Sequence, residues 1–289
     1  MKLLFKQIAA CPACHASLVW DTDFVRCEGE GCGRRFEMAG NVPVMDLRED
    51  VGAIATSAPA VNHSRFRVFL STVLSSTNST YKTKEGSRRQ QRFIDGLGPD
   101  AVILNVGSGT DDYGPRVVNM DIDAFQNVDV VGRSEWLPVQ SESVDGLITT
   151  GVLEHVGDLG ATLREIDRVM RPGAQVFHEV PFIQGFHGTI DYRRFTYQGT
   201  RDLVEHYELI DEGVAVGPSS ALVWVLSQWL GMLFSFGNQR VYFIAARLFL
   251  KLTSPLRFFD SMLESIPEAR MGACSLFVHA RKSLTNGSA

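Results

Sequence analysis

The six residues Ala101-Val-Ile-Leu-Asn-Val106 are apolar but for one asparagine and run directly into Gly107-Ser-Gly109. No other feature of the 289-residue chain restricts its fold as strongly. A continuous apolar run suits a strand covered on both faces, and such strands belong to parallel sheets. Glycines at its end let the backbone approach a nucleotide-like ligand closely. Further short runs follow at Arg116–Asp121, Val128–Val131, Val144–Thr150 and Gln175–Phe182. Asp158–Met170 reads as a helix stopped by Arg171-Pro-Gly173, and Arg88–Leu97 as a short amphipathic helix ended by Gly98-Pro99. Strands alternating with helices predict an α/β fold with a mostly parallel, doubly wound sheet. Glu208–Val216 and Ala273–Lys282 read as two later strands. With 45% hydrophobic and 21% charged residues there is apolar material for a core without disulfides.

Four of the five cysteines lie between residues 11 and 32, as Cys11-x2-Cys14 and Cys27-x4-Cys32. Each pair can occupy a tight knuckle, and two knuckles can present four thiolates tetrahedrally to Zn²⁺. Four cysteines leave no open position, so such a zinc is structural, and a module this small needs it to fold. His15 beside the first knuckle is read as a neighbour only. Together with Leu18 and Gly40-Asn-Val-Pro43, this region resembles the Trm112-like zinc ribbon, found alone as a methyltransferase activator and fused ahead of bacterial methyltransferases; the wider second spacing departs from that pattern. The expected organisation is a ribbon over 1–50, a linker over 51–84 rich in Ala, Ser and Thr, and a main domain over 85–289.

The second strand ends in Asp121, where a carboxylate can accept hydrogen bonds from both hydroxyls of a ribose. Gly132-Arg-Ser-Glu135-Trp-Leu-Pro138, Ser143-Val-Asp145-Gly, Gly151-Val-Leu-Glu154-His155 and Leu163-Arg-Glu-Ile-Asp-Arg168-Val-Met-Arg-Pro172-Gly173 follow in order. This succession, over Ala101 to Phe182, resembles the class I methyltransferases of the ubiquinone-biosynthesis-like type. The resemblance implies a Rossmann-like fold with an antiparallel last strand, and S-adenosylmethionine bound across the carboxyl ends of the first, second and fourth strands. It places Asn105, Gly107, Ser108 and Gly109 around the methionine part, Asp121 at the ribose, and Ile122 and Trp136 flanking the adenine. Ser134 or Glu135 would contact the adenine edge, and Thr150 and Gly151 would lie near the sulfonium.

The chain departs from that pattern in places. The acid common at the start of the glycine motif is Asn105, the third glycine is Asp111, and the acid often found after the third strand is Arg133. Only twelve positions separate Gly109 from Asp121, which leaves little room for a crossover helix. A loop or a single turn is expected there. The same shortening occurs in a methyltransferase subgroup associated with surface-glycan biosynthesis.

Methyl transfer to a hydroxyl needs an aligned acceptor and a group to take its proton. After the fifth strand, His187-x3-Asp191-x2-Arg194-Phe-Thr196 resembles a segment of the glycan-associated subgroup. His187 is the candidate general base or acceptor clamp. Asp191 is the candidate to orient it, and Arg194 to bind an anionic acceptor group or fix the loop; the alternative is an Asp191–Arg194 ion pair that only shapes the loop. Related enzymes use Glu-His at Glu154-His155, with an acid three positions upstream, to hold a divalent metal. Here that position is Gly151, so helix capping or loop packing is the preferred reading, with a Glu154–His155–His187 metal site as the other. His178 is read as a packed histidine.

No charged residue occurs from Val214 to Gln239. Ser219–Asn238 has the length of a bilayer span, but its serines, Gln228 and Gly231 argue against one. Two helices, Ala221–Phe236 and Val241–Leu252, are expected as an insert over 219–265. They pack on the core or on each other, or present a membrane-surface or lipid-acceptor face with Trp224 and Trp229, bordered by Arg240, Arg247, Lys251 and Arg257. Met1–Ala10 carries no cleavage-type signal, which suggests a cytoplasmic protein, at most peripheral at the inner membrane face. The net charge of −5 points away from nucleic acid. The expected activity is O-methylation of a sugar hydroxyl of a glycan, a lipid-linked glycan or a small molecule. The competing expectations are an RNA methyltransferase that uses the ribbon for RNA contact, and a non-catalytic cofactor-binding scaffold.

Overall fold

The computed structural model describes residues 1–48, 82–187 and 190–284. Most of the expected linker, residues 51–81, lies outside the described residues. The N-terminal part folds as α1 (Leu3–Ile8) and a four-stranded antiparallel sheet of β1 (Leu18–Trp20), β2 (Phe24–Cys27), β3 (Arg35–Ala39) and β4 (Val42–Pro43). The main sheet holds β5 (Ile103–Val106), β6 (Val117–Asp121), β7 (Val130–Val131), β8 (Val144–Thr150), β9 (Met170–Pro181), β10 (Glu208–Val216) and β11 (Ser275–Arg281). Its order is β10-β11-β9-β8-β5-β6-β7. All neighbours are parallel except β11, which runs antiparallel to both β9 and β10. The Rossmann-like expectation with an antiparallel last strand therefore holds.

Helices are α2 (Lys84–Gly96), α3 (Leu159–Val169), α4 (Tyr197–Asp202), α5 (Pro218–Leu233) and α6 (Gln239–Thr253), followed by short turns to Gly272. Thr83 caps α2 by accepting from the Gly86 N–H, and Asp158 caps α3 by accepting from the Ala161 N–H. Strand β9 begins earlier than its apolar run, because Arg171-Pro-Gly173 is drawn into the strand with a register irregularity against β8. Between Gly109 and Val117 there is no helix, as the short spacing requires.

Alternating residues of the strands face opposite sides. Ile103, Val117, Ile148 and Phe177 pack with Phe93 and Ile94 of α2. Leu104, Val106, Val118, Met120 and Val130 join a cluster that also contains Phe5, Ile8, Val25, Phe36 and Met45. The cysteine module thus lies against the sheet face that a crossover helix after β5 would otherwise cover. It also seals the edge: Val44 forms a parallel bridge to Val131, and the Met45 N–H donates to the Val131 carbonyl at 2.7 Å. An open strand edge would expose unpaired backbone groups, and this contact removes that liability at β7.

Candidate active site

From β5 the chain winds to β6 and β7 on one side and then returns to β8 and β9 on the other. Such a reversal opens a crevice at the carboxyl ends of the central strands. A cavity of ≈ 580 Å³ occupies it. Gly107, Ser108, Gly109, Asp121, Ile122, Ser134, Glu135, Thr150 and Gly151, all expected at a cofactor, line this cavity. The glycine turn has a steric cause. Gly107 has φ 70°, and a Cβ there would stand 2.2 Å from Val152 Cγ2. Asp121 is buried, which pushes its carboxyl pKa up, while the Gly109 N–H donates to Oδ2 at 2.7 Å and the Asp123 N–H to Oδ1 at 3.0 Å. Each oxygen keeps lone-pair capacity for a ligand hydroxyl. Ser108 Oγ is buried with no hydrogen-bond partner among the described residues.

Two expected cofactor residues do not line this cavity. Asn105 is buried behind the turn, its amide donating to Asn119 Oδ1 at 3.2 Å, so it braces β5 against β6. Trp136 is 36% exposed and does not line the cavity; its backbone forms a bridge to Arg133. Arg133 itself does line it, and its Nε donates to Asp46 Oδ2 of the cysteine module at 3.1 Å. Asp46 carries no local signal in the sequence, because nothing local links residues 87 positions apart.

A second cavity of ≈ 310 Å³ shares Thr150, Gly151 and His155 with the first. His187, Glu154, Glu179, Gln184 and Trp224 complete its main walls, with Lys82 at its edge. His187 Nε2 lies 3.6 Å from Oε1 of Glu154, a carboxylate only 1% exposed. That carboxylate raises the His187 pKa above the ordinary histidine value, against the opposing effect of burial, with smaller help from the Gly185 carbonyl and Asp191. Glu154 Oε2 has no hydrogen-bond partner among the described residues. The His155 Nδ1–H donates to the Ile190 carbonyl, leaving Nε2 3.7 Å from Glu154 Oε1. Ligand atoms of Glu154, His155 and His187 all lie within 4.8 Å of one another. Glu179 is paired to Lys82 Nζ at 2.7 Å and accepts from Ser275 Oγ at 3.3 Å.

For Asp191 and Arg194 the geometry fits the second of the two expected readings, an ion pair within the loop. Asp191 Oδ2 is 3.6 Å from His187 Nδ1, beyond a hydrogen bond, and instead accepts the His187 backbone N–H at 3.0 Å. Arg194 forms a two-pronged ion pair with Asp191, which holds that carboxyl far below the usual range, and also donates to the Gly185 carbonyl at 2.9 Å. Arg194 lines neither cavity. The pair shapes the loop that presents His187. His178 is fully packed, bonded to Thr149 Oγ1 at 2.8 Å, and burial lowers its pKa to about 3.

The sulfurs of Cys11, Cys14, Cys27 and Cys32 also lie within 4.8 Å of one another. Gly29 closes over them: a Cβ there would meet Cys14 Sγ at 2.9 Å, and its N–H donates to Cys27 Sγ at 3.2 Å. The Ala16 N–H first, and the neighbouring thiols second, lower the Cys14 pKa to about 7, whereas burial pushes Cys11 to about 12. Cys274 is buried in the main domain, away from this cluster.

Residues 109–178, from the glycine turn to β9, match the family described as methyltransferase domain. No curated protein matches the chain. Among solved structures, a candidate sarcosine dimethylglycine methyltransferase from Galdieria sulphuraria is similar at 13% identity and TM-score 0.46, over 75% of this chain and 98% of that one. The 1,6-didemethyltoxoflavin-N1-methyltransferase of Burkholderia thailandensis, solved with S-adenosylhomocysteine, is similar at 18% identity and TM-score 0.42, over 78% and 93%. The [4+2]-cyclase SpnF is similar at 12% identity and TM-score 0.43, over 76% and 95%.

Proposed function

We propose that the protein is an S-adenosylmethionine-dependent O-methyltransferase acting on a hydroxyl of a sugar, in a glycan or a lipid-linked glycan. The observation that carries this reading is the pair of joined cavities. One combines a glycine turn with a buried Asp121, and the other places His187 over Glu154 beside the common wall. Gly107, Ser108, Gly109, Asp121 and Ser134 would hold the cofactor, whose sulfonium would supply the methyl group when bound. The methyltransferase-domain match over residues 109–178 supports the same reading.

His187 Nε2 receives the proton of the acceptor hydroxyl, and Glu154 stabilises the imidazolium that results. Trp224 offers a flat apolar wall for the C–H face of a sugar ring, its ring 5.6 Å from that of His187. Gln184, Glu154 and Glu179 supply polar groups for neighbouring hydroxyls. An RNA acceptor would call for basic residues converging on this cavity. Its walls instead carry two glutamates, and Lys82 is already paired. We also propose that the four cysteines hold a structural Zn²⁺, which the Gly29 cradle and the lowered Cys14 thiol suit.

The test is transfer of labelled methyl from S-adenosylmethionine to three acceptor panels: nucleotide-linked and lipid-linked sugars, ribosomal RNA, and no acceptor. Product confined to the sugar panel is expected; product on RNA, or cofactor binding without turnover on any panel, rejects the reading. The unpartnered Glu154 Oε2 favours one alternative, a divalent cation held by Glu154, His155 and His187. Turnover lost to a chelator and restored by Mn²⁺ or Mg²⁺, with the ribbon zinc retained, would select it.

A further inference from the structure

The α5–α6 hairpin is apolar on surfaces that the other described residues leave uncovered. Ala221, Trp224, Ser227 and Gly231 of α5 are buried, and Trp224 reaches the smaller cavity. On its other side Leu222, Val225, Trp229, Met232 and Leu233 form a stripe at i, i+3, i+7, i+10 and i+11 spacing, each between 46% and 57% exposed. A helix apolar all round belongs in a core or in lipid. Gly231 lets α6 pack tightly, since a Cβ there would lie 2.7 Å from Ala246 Cβ. Yet α6 buries no residue at all. Val241, Ile244, Leu248 and Leu252 lie exposed along one side of it. At the tip, Phe236 is 91% exposed with φ 49°, a strained conformation for an aromatic residue that holds its ring in solvent.

Charge distinguishes this region from the rest of the chain. From Val214 to Phe259 every charged residue is basic, in a protein of net charge −5. Arg257, expected at the border of the apolar face, is instead buried. Arg240 and Arg247 are exposed and Lys251 is half-buried. At spacings of seven and four residues these three fall within about 40° on the helix circumference, beside the Ile244–Leu248 stripe. A polar stripe of Arg and Lys next to an aliphatic one is the pattern of a helix lying in a bilayer interface. No helix among the described residues is long and apolar enough to cross a membrane.

We propose that the α5–α6 hairpin docks on an anionic lipid bilayer, with Phe236, Trp229 and the aliphatic stripes in the acyl boundary and Arg240, Arg247 and Lys251 at the headgroup phosphates. Trp224 and Trp229 lie on opposite sides of α5, so the docked surface stands one helix away from the smaller cavity. The proposal does not depend on which acceptor is methylated.

The experiment is flotation of the full, metal-loaded protein with vesicles of phosphatidylcholine alone or with phosphatidylglycerol, at low salt and at about 0.5 M salt, where surface charge is screened. Flotation only with the anionic vesicles, reduced by high salt, is expected. Phe236→Ser and Arg240→Glu/Arg247→Glu should each weaken it by about tenfold or more, with S-adenosylhomocysteine binding and melting temperature unchanged. The tryptophan blue shift on vesicle addition should vanish in Trp229→Phe. No flotation, or flotation indifferent to lipid charge, overturns the proposal. So does a lipid-free dimer in light scattering that Phe236→Ser disperses, which would assign the face to a second copy of the chain.

Discussion

Asp46 of the cysteine module holds Arg133 in the wall of the larger cavity, Oδ2 to Nε at 3.1 Å, and shares the same carboxylate oxygen with Arg48 at 2.9 Å. Asp46 is only 7% exposed and Arg133 19%, so neither side chain is free to reorient in solvent. The module therefore fixes a side chain of the proposed cofactor site. Asp46→Asn is expected to weaken S-adenosylhomocysteine binding by about tenfold, the cost of one partly buried charge-assisted hydrogen bond. Titration calorimetry checks it. Unchanged affinity would show that Arg133 needs no support from the module.

Loss of the metal should reach the whole fold, because the module and the sheet share one buried cluster. Cys27→Ser should abolish zinc in elemental analysis and lower the melting temperature by roughly 10 °C, matching about 3–4 kcal/mol for a chain of this size. Loading zinc should also release protons, since the buried Cys11 thiol stays protonated without metal. A variant that loses zinc but melts as wild type would separate the module from the core.

Removal of His187 should affect chemistry and leave cofactor binding intact. His187→Ala is expected to lower kcat by about 10²–10⁴ with S-adenosylhomocysteine affinity unchanged. The pH profile adds a directional test. A base works in its neutral form, and the raised pKa means that kcat/KM falls as pH drops through a midpoint above the ordinary histidine value. Glu154→Gln removes the main cause of that rise and should move the midpoint down. A midpoint that stays put would remove Glu154 from this role.

Position 107 should tolerate no side chain. Gly107→Ala places a Cβ against Val152 and forces φ 70° on alanine, costing about 2 kcal/mol or more. Adding Val152→Ala relieves the clash but not the backbone strain, so stability should recover only in part. Thermal melts of the single and double variants decide this, and full recovery would show that the backbone strain contributes nothing.

Much of the sheet was legible because β5, β6 and β8 are locally self-evident: apolar runs that end in glycine, aspartate or threonine at the ligand edge. The missing helix after Gly109 could be read from spacing alone. Legibility failed where the determinant was distant. Trp136 follows Glu135 in sequence, yet only Glu135 lines the cavity. Asp191 stands at helical spacing from His187, but Arg194 has claimed its carboxylate, and the buried partner is Glu154, 33 positions earlier. Pro172-Gly173 reads as a helix stop, and it is one, but Met170 and Gln175 pair with β8 on either side of it, so the same residues lie inside β9 as an irregularity.

The parallel bridge from Val44 to Val131 also sets an order of assembly. The cysteine knuckles can close around a metal with neighbouring residues alone, whereas the apolar side formed by Phe5, Ile8 and Met45 has nothing to lie against until β7 exists. If the four cysteines hold the proposed zinc, the module would wait during synthesis as a small, metal-held body with one sticky face until a strand made much later arrives. Zinc supply would then govern how much of each newly made chain reaches the native state before that face finds another partner.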